Sequence, residues 1–172
     1  MVEENVFIAT VLTFVAGFFL ALLVEKKRKH DARVAAARSI IIELEEIQTA
    51  LNGHVKTDDQ IETMRAEIIT GHFNAPLFHL QTAAYESAIF SGVFRDFHKE
   101  TQKAIAVVYD EIRYANMLES KSLDYGVVPV AVTPAFYTSL GMLITAINNY
   151  ERHLQMAVAR LIEHLRGLFL SA

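Results

Sequence analysis

The sequence contains no cysteine, only three prolines and seven glycines, and few charged residues among its 172. Without cysteine the chain has no disulfide, no thiolate metal site, no iron–sulfur cluster and no cysteine nucleophile. So little proline and glycine leaves few tight turns, which argues against an all-β sandwich or barrel. Charged residues make up 21% of the chain and hydrophobic residues 52%, so the apolar surface is ample and disorder is excluded. The length corresponds to one domain.

Sequence motifs for common catalytic chemistry are also missing. Neither glycine-rich phosphate-binding pattern occurs, and the Gly-x-Ser-x-Gly nucleophile motif is absent. Seven histidines are present, but none follows a glutamate by three positions, as metal-binding helical bundles require. No His-Glu-x-x-His zinc motif occurs either. We therefore predict a protein that is not an enzyme and that uses no metal or cofactor.

The longest uncharged run near the start of the sequence has the length of a membrane span. Asn5–Val24 contains 20 residues without a charge, which as a helix reach about 30 Å, the thickness of a bilayer's hydrocarbon core. A secretory signal peptide is the alternative. Glu3 and Glu4 stand where its basic region belongs, and no small-x-small cleavage site precedes the charged cluster. We expect an uncleaved transmembrane helix over residues 1–24.

Basic residues follow this run, whereas none precedes it. Because lysine and arginine stay on the cytoplasmic side, we expect a single-pass cell-membrane protein with its N-terminus outside and its C-terminus in the cytoplasm. Residues 25–38 form a basic juxtamembrane strip of net charge +4, and the 10 basic and 16 acidic residues after it give −6. An acidic body argues against nucleic-acid binding. The strip residues expected to contact anionic lipids are Lys26, Lys27, Arg28, Lys29 and Arg33.

Small residues recur every fourth position within the apolar run. They form one ridge on a helix, and such ridges let two helices approach closely in lipid. Phe7, Phe14 and Phe18 occupy the opposite side. We expect this packing ridge to contact another transmembrane helix. Its members are Ala9, Thr13, Gly17 and Ala21.

The first helix is predicted to continue into the cytoplasmic domain, residues 39–172. It meets no proline, and no glycine after the span, until the stop signal Asn52-Gly53, which gives a helix on the order of 70 Å. Three carboxylates, Glu43, Glu45 and Glu46, fall on its predicted solvent face. Its predicted inner stripe consists of Val34, Ala37, Ile41, Leu44, Gln48 and Leu51.

Three shorter helices are predicted next. One covers about 59–70 and starts with Asp59 and Glu62 as a capping box. Another extends from residue 74 to the Ser91-Gly92 stop. The third covers about 97–122. Its predicted buried stripe is Ile105, Val108, Ile112 and Ala115, with Tyr109 and Met117 beside it.

A long C-terminal helix is predicted after an extended connector at 123–133. Thr133 and Pro134 cap its start. Residues 126–150 lack charge and are an alternative second span, but two prolines interrupt them. Glu151 is the one charged member of the helix's heptad stripe, and Arg113 or Tyr109 is its candidate partner. The stripe, which we call the α5 stripe, comprises Leu140, Ile144, Ile147, Glu151, Leu154, Val158, Leu161, Leu165 and Leu168.

One segment resembles a recurring motif. Residues 80–92 match the pattern Leu-x-Thr-x-Ala-aromatic-Glu-Ser-x-x-x-Ser-Gly, and Val-Val-Tyr-x-x-Ile-x-x-x-Asn follows at 107–116. The chain therefore resembles, over about residues 5–122, uncharacterised prokaryotic proteins with one N-terminal span and a helical domain. That family has no assigned activity. The motif residues predicted to serve packing or a partner are Thr82, Tyr85, Glu86, Ser87, Ser91 and Gly92.

Together these features predict an all-α protein whose transmembrane helix continues into a cytoplasmic antiparallel bundle. The leading hypothesis is a non-enzymatic accessory or assembly subunit of a larger membrane complex, in contact with lipids and other subunits. A self-associating membrane scaffold is the alternative, and a small-molecule sensor is a third possibility, which would need convergent polar groups in a pocket.

Overall fold

The computed structural model describes residues 2–69, 80–126 and 134–170, with side chains for 10–67, 80–118, 138–139 and 141–170. The described chain is all-helical and contains no strand, as the periodicity predicts. Five α-helices and one 3₁₀ helix follow each other in order. They are α1 (Val2–His54), α2 (Asp58–Ile69), α3 (Ala83–Phe90), the 3₁₀ helix (Val93–Asp96), α4 (Lys99–Gly126) and α5 (Pro134–Phe169).

Helix α1 is continuous from the apolar run into the bundle. Its 53 residues correspond to about 80 Å at the usual rise per residue. The predicted uninterrupted helix is confirmed, and it ends at His54, directly after the Asn52-Gly53 signal. Among the described side chains of α1 the first that is buried is Ala37, so its packing against the bundle lies in its second half.

The core lies between the second half of α1, α4 and α5. α5 runs antiparallel to α1, because Arg166 donates to Glu45 while His54 contacts Glu151. Most predicted inner positions are confirmed, although Val34 and Gln48 are only half-buried and Leu168 is exposed. The side chain of Leu140 lies outside the described residues. The largest fully buried side chains are Tyr109, Ile40, Leu44, Leu51, Leu80, Ile105, Ile112, Leu154, Leu165 and Val158. Burial of each such aliphatic side chain contributes on the order of 1.5–3 kcal/mol.

The start of α2 differs from the prediction. Thr57, not Asp59, forms the capping box: Gln60 N–H donates to Thr57 Oγ1 at 3.3 Å, and Thr57 N–H donates to Gln60 Oε1 at 2.9 Å. Glu62 instead pairs with Arg65, three residues later on the same helix. The helix itself is confirmed within one residue at its described ends.

Helix α3 is shorter than the sequence predicts. Leu80, Gln81 and Thr82 are not helical, so the helix begins at Ala83 rather than continuing from residue 74. The predicted start at Asn74–Pro76 lies outside the described residues. Its end is confirmed, because Gly92 adopts φ +77°, the left-handed conformation that glycine permits after a helix.

Helix α4 is longer than predicted and reaches Gly126, so the extended connector does not begin at 123. Residues 127–133, with Thr133, lie outside the described residues. The predicted stripe of α4 is buried, and Tyr109 beside it is fully buried. Met117, in contrast, is exposed. α5 begins at Pro134 as predicted.

Candidate functional site

The first half of α1 stands apart from the bundle. Every described residue from Thr10 to Asp31 is exposed, and Phe14 reaches 77% exposure. Apolar side chains therefore surround this half of the helix and are exposed to solvent, which is unusual in water. The large exposed members are Val11, Leu12, Phe14, Val15, Phe18, Phe19, Leu20, Leu22, Leu23 and Val24.

Within the described part of the chain, no helix contains a stretch both long and apolar enough to cross a membrane. Fifteen residues of the uncharged run, Thr10–Val24, have described side chains, whereas the run itself begins at Asn5.

The predicted ridge lies on this exposed segment. Thr13, Gly17 and Ala21 are exposed, and the side chain of Ala9 lies outside the described residues. A Cβ placed on Gly17 would meet nothing within 4 Å, so the surface around it is open. The ridge is therefore accessible to a second helix.

The basic strip meets the bundle at the 3₁₀ helix. Arg33 Nη1 donates to the backbone carbonyl of Asp96 at 3.2 Å, which ties the strip to the turn after α3. Lys29 Nζ lies 3.0 Å from Glu25 Oε1, a pair that lowers the pKa of Glu25 and raises that of Lys29. Lys26, Lys27 and Arg28 are exposed. Four of the five predicted strip residues thus face solvent, and Arg33 is partly buried.

An open cleft of about 520 Å³ lies between the strip and the 3₁₀ helix. Arg33 Nε is buried here, and no described residue accepts a hydrogen bond from it. The cleft is lined by Leu22, Glu25, Lys26, Lys29, Arg33 and Asp96.

A buried carboxylate holds the motif segment against α1. The prediction that Glu43 lies on the solvent face is wrong, because it is only 6% exposed. Its Oε2 accepts from Ala84 N–H at 2.7 Å, and its Oε1 accepts from the Tyr109 hydroxyl at 2.6 Å and from Tyr85 N–H at 3.4 Å. Glu43 therefore takes the place of an N-cap for α3 and joins α1, α3 and α4.

The aromatic residue of the motif packs inside the bundle. The ring of Tyr85 stacks on Tyr109 with centroids 4.2 Å apart and meets Phe94 edge-on at 5.5 Å. The guanidinium of Arg113 lies over the ring of Tyr85, 5.5 Å from the ring centroid. Burial, followed by the hydrogen bond to Glu43, raises the pKa of Tyr109 well above its ordinary value. The buried hydroxyl is thus held neutral.

The remaining motif residues shape the ends of α3. Thr82 Oγ1 donates to Glu86 Oε1 at 2.9 Å, and Glu86 lies 3.8 Å from Arg113. Ser91 Oγ donates to the carbonyl of Ala88 at 3.2 Å. Ser87 is exposed. The structure brings Thr82, Tyr85 and Glu86 together beside α4, whereas Ser87 and Ser91 are exposed.

Two asparagines, which sequence reasoning did not single out as functional, each bind one backbone unit. Asn116 accepts from Leu80 N–H at 2.8 Å and donates to its carbonyl at 2.9 Å. Asn148 does the same for Lys56, at 2.7 Å and 3.2 Å. Each fixes the backbone that leads into the next helix. Asn116 is the last residue of the motif at 107–116, whereas no local sequence pattern marks Asn148.

Glu151 lies inside the bundle and is not paired as predicted. It is 3% exposed, and its Oε1 lies 3.0 Å from Nδ1 of His54 at the end of α1. Arg113 and Tyr109 are engaged elsewhere, so both proposed partners are wrong.

The described residues contain no group of three or more histidine and carboxylate side chains arranged to bind a metal. No protein-family model, no curated protein and no solved structure matches the chain.

Proposed function

We propose that this chain is a single-pass membrane protein in which the first half of α1 is the anchor and the bundle is cytoplasmic. One observation carries the proposal: Thr10–Val24 is uncharged, helical, and exposed at every position. Such a surface is stable in hydrocarbon and costly in water. The basic strip directly after it supports an external N-terminus.

We further propose a non-enzymatic role as an accessory or assembly subunit of a larger membrane complex. The open ridge around Gly17 supports a helix contact in the membrane. Glu43 and Glu151, the two carboxylates buried in the described bundle, are engaged with the chain itself, which favours a structural role for them.

The alternative, a self-associating scaffold, now has less support. Self-association through the α5 stripe would need exposed apolar residues there, but the members from Ile144 to Leu165 are buried in the same bundle, and among the described members Leu168 is the exposed one. The ridge is the remaining surface that favours self-association.

Membrane anchorage is tested by introducing charge at two positions of the exposed segment. Val15→Lys with Phe19→Lys should release the protein from alkaline-washed membranes, because each lysine costs about 2.5–3.5 kcal/mol at a helix centre. Ile42→Lys with Met156→Lys, at exposed bundle positions, is the control and should stay bound. Wild-type protein that is extracted at high pH would refute the anchor. A reporter after Ala172 should be cytoplasmic, and an external one would refute the orientation.

The absence of cysteine gives a direct test of the two roles. In membranes, Gly17→Cys should form no disulfide-linked dimer if the ridge contacts a different subunit. A scaffold would give a dimer from Gly17→Cys but not from Phe18→Cys, on the other side of the helix. Gly17→Leu should then displace co-purifying subunits while the bundle melts as before. If Gly17→Leu changes no association, the ridge faces lipid.

A further inference from the structure

The cleft beside the 3₁₀ helix combines apolar and cationic groups along one helix face. Its lining residues on α1 extend from Leu22 to Arg33, which is about 16 Å along the axis. Leu22 belongs to the uncharged run, whereas Lys26 and Lys29 follow it. If the anchor spans the bilayer, this length covers the end of the hydrocarbon core and the headgroup layer.

The charges in the cleft suit a singly charged anion. Three cations and two carboxylates line it, a balance of +1. Glu25 is already paired with Lys29 at 3.0 Å, and the negative charge of Asp96 also acts on Lys29, so Lys26 is the lysine of the cleft without an ion pair among the described residues. Arg33 lines the cleft, and its buried Nε has no acceptor among the described residues, which is unfavourable for a buried donor. A phosphodiester oxygen would satisfy this donor once the guanidinium turns towards the cleft.

The same end of the bundle carries a large apolar side chain. Phe90 is 87% exposed and lies three residues before the 3₁₀ helix that borders the cleft. Exposed aromatic rings are favoured at the boundary between headgroups and acyl chains. This side chain supports a lipid as the occupant over a free phosphate ion.

We propose that the cleft binds the phosphodiester headgroup of one anionic phospholipid, with the phosphate between Lys26 and Lys29 and the acyl chains beside Leu22. Arg33 Nε is the deeper donor. The site rests on the membrane anchorage proposed above and adds a specific ligand to it. It differs from general attraction to the basic strip, because Lys27 and Arg28 do not line the cleft.

The test compares two double variants that remove the same charge from the same strip. Full-length protein in nanodiscs of phosphatidylglycerol and phosphatidylcholine is analysed by native mass spectrometry for retained phosphatidylglycerol. Lys26→Gln with Lys29→Gln should lower retention about tenfold. Lys27→Gln with Arg28→Gln, the control, should lower it less than about twofold. Arg33→Lys keeps the charge but removes Nε, and it should weaken retention as well.

The outcomes separate this site from the anchor. Equal losses in the two double variants would overturn the cleft and leave only diffuse attraction. If the wild-type protein retains no phosphatidylglycerol but binds inorganic phosphate at millimolar concentration, the ligand is free phosphate rather than lipid, and the proposal is overturned as well. If wild-type protein fails to enter nanodiscs of either composition, the anchorage itself fails. Retention that follows the cleft variants alone supports the site.

Discussion

The two halves of α1 share one uninterrupted backbone but have opposite surroundings. From Thr10 to Asp31 every described residue is exposed, whereas from Ala37 to Leu51 the helix buries a continuous face against α5, the 3₁₀ helix and α3. Both halves are rich in aliphatic residues, and both are helical. Helical periodicity alone therefore does not tell which half belongs to the core.

The difference lies in polar patterning. The second half places charged residues opposite its apolar face, and one buried carboxylate, Glu43, satisfies donors from two other helices. The first half has no charge between Asn5 and Val24, so no side of it is suited to water. The apolar surface of the first half is left exposed by this chain, whereas the apolar face of the second half is buried by the other helices.

The largest contrast is expected from one substitution made in both halves. Leu44→Ala leaves a cavity in the core, because Leu44 is fully buried, and should lower the free energy of unfolding by about 2–5 kcal/mol. Leu20→Ala, at 63% exposure, should change it by less than about 0.5 kcal/mol. Denaturant melts of both proteins in the same detergent measure the contrast. Equal losses would mean that the first half also packs against the bundle.

A second contrast concerns neighbouring carboxylates in the packed half. Glu43→Ala leaves Ala84 N–H and the Tyr109 hydroxyl without their acceptor, so we expect a loss of about 3 kcal/mol. Exposed Glu46→Ala should cost less than about 0.5 kcal/mol. Glu43→Gln should lie between them, because an amide oxygen still accepts from Tyr109. If Glu43→Ala lowers the free energy of unfolding no more than Glu46→Ala does, Glu43 does not cap α3.

The positions that sequence could predict are those set by local spacing. The end of α1 follows from the Asn52-Gly53 stop signal, and the stripe of α4 and the α5 stripe from Ile144 to Leu165 follow from apolar periodicity. Thr57 and Gln60 also match the Thr-x-x-Gln capping pattern, so that cap was within reach of the sequence. The capping role of Glu43 could not be predicted from the sequence, because its hydrogen-bond partners lie at least 41 residues away. The pairing of Glu151 with His54 could not be predicted either, because it depends on how α5 aligns with α1.

A smaller effect should separate two adjacent asparagines of α5. Asn148→Ala removes both hydrogen bonds to the Lys56 backbone and should cost about 1–3 kcal/mol. Asn149 is exposed, so Asn149→Ala is the matched control and should be nearly neutral. Hydrogen exchange at Lys56 N–H should accelerate in Asn148→Ala alone. Unchanged protection there would show that Asn148 does not hold the junction between α1 and α2.

The smallest effect at neutral pH, and one that grows in alkali, is expected at Tyr150. Its hydroxyl donates to the Glu111 carbonyl at 3.1 Å, and its ring meets Tyr114 edge-on. Burial, followed by the negative charge of Glu111, raises the pKa of Tyr150 to about 12. The unfolded chain ionises near pH 10, so the stability linked to this hydroxyl is complete below pH 10 and is lost as the pH rises towards 12.

Tyr150→Phe should therefore lose about 0.5–1.5 kcal/mol at pH 7 through the missing hydrogen bond, and this deficit should shrink between pH 10 and 12. Tyr109 contributes an alkaline loss to both proteins, because its pKa is also raised, so each curve still falls. Urea melts of wild type and Tyr150→Phe at pH 7, 10 and 11.5 give the comparison. A deficit that stays constant across this range would mean that the Tyr150 hydroxyl ionises equally in the folded and unfolded chains, and that the contact between α4 and α5 does not hold it neutral.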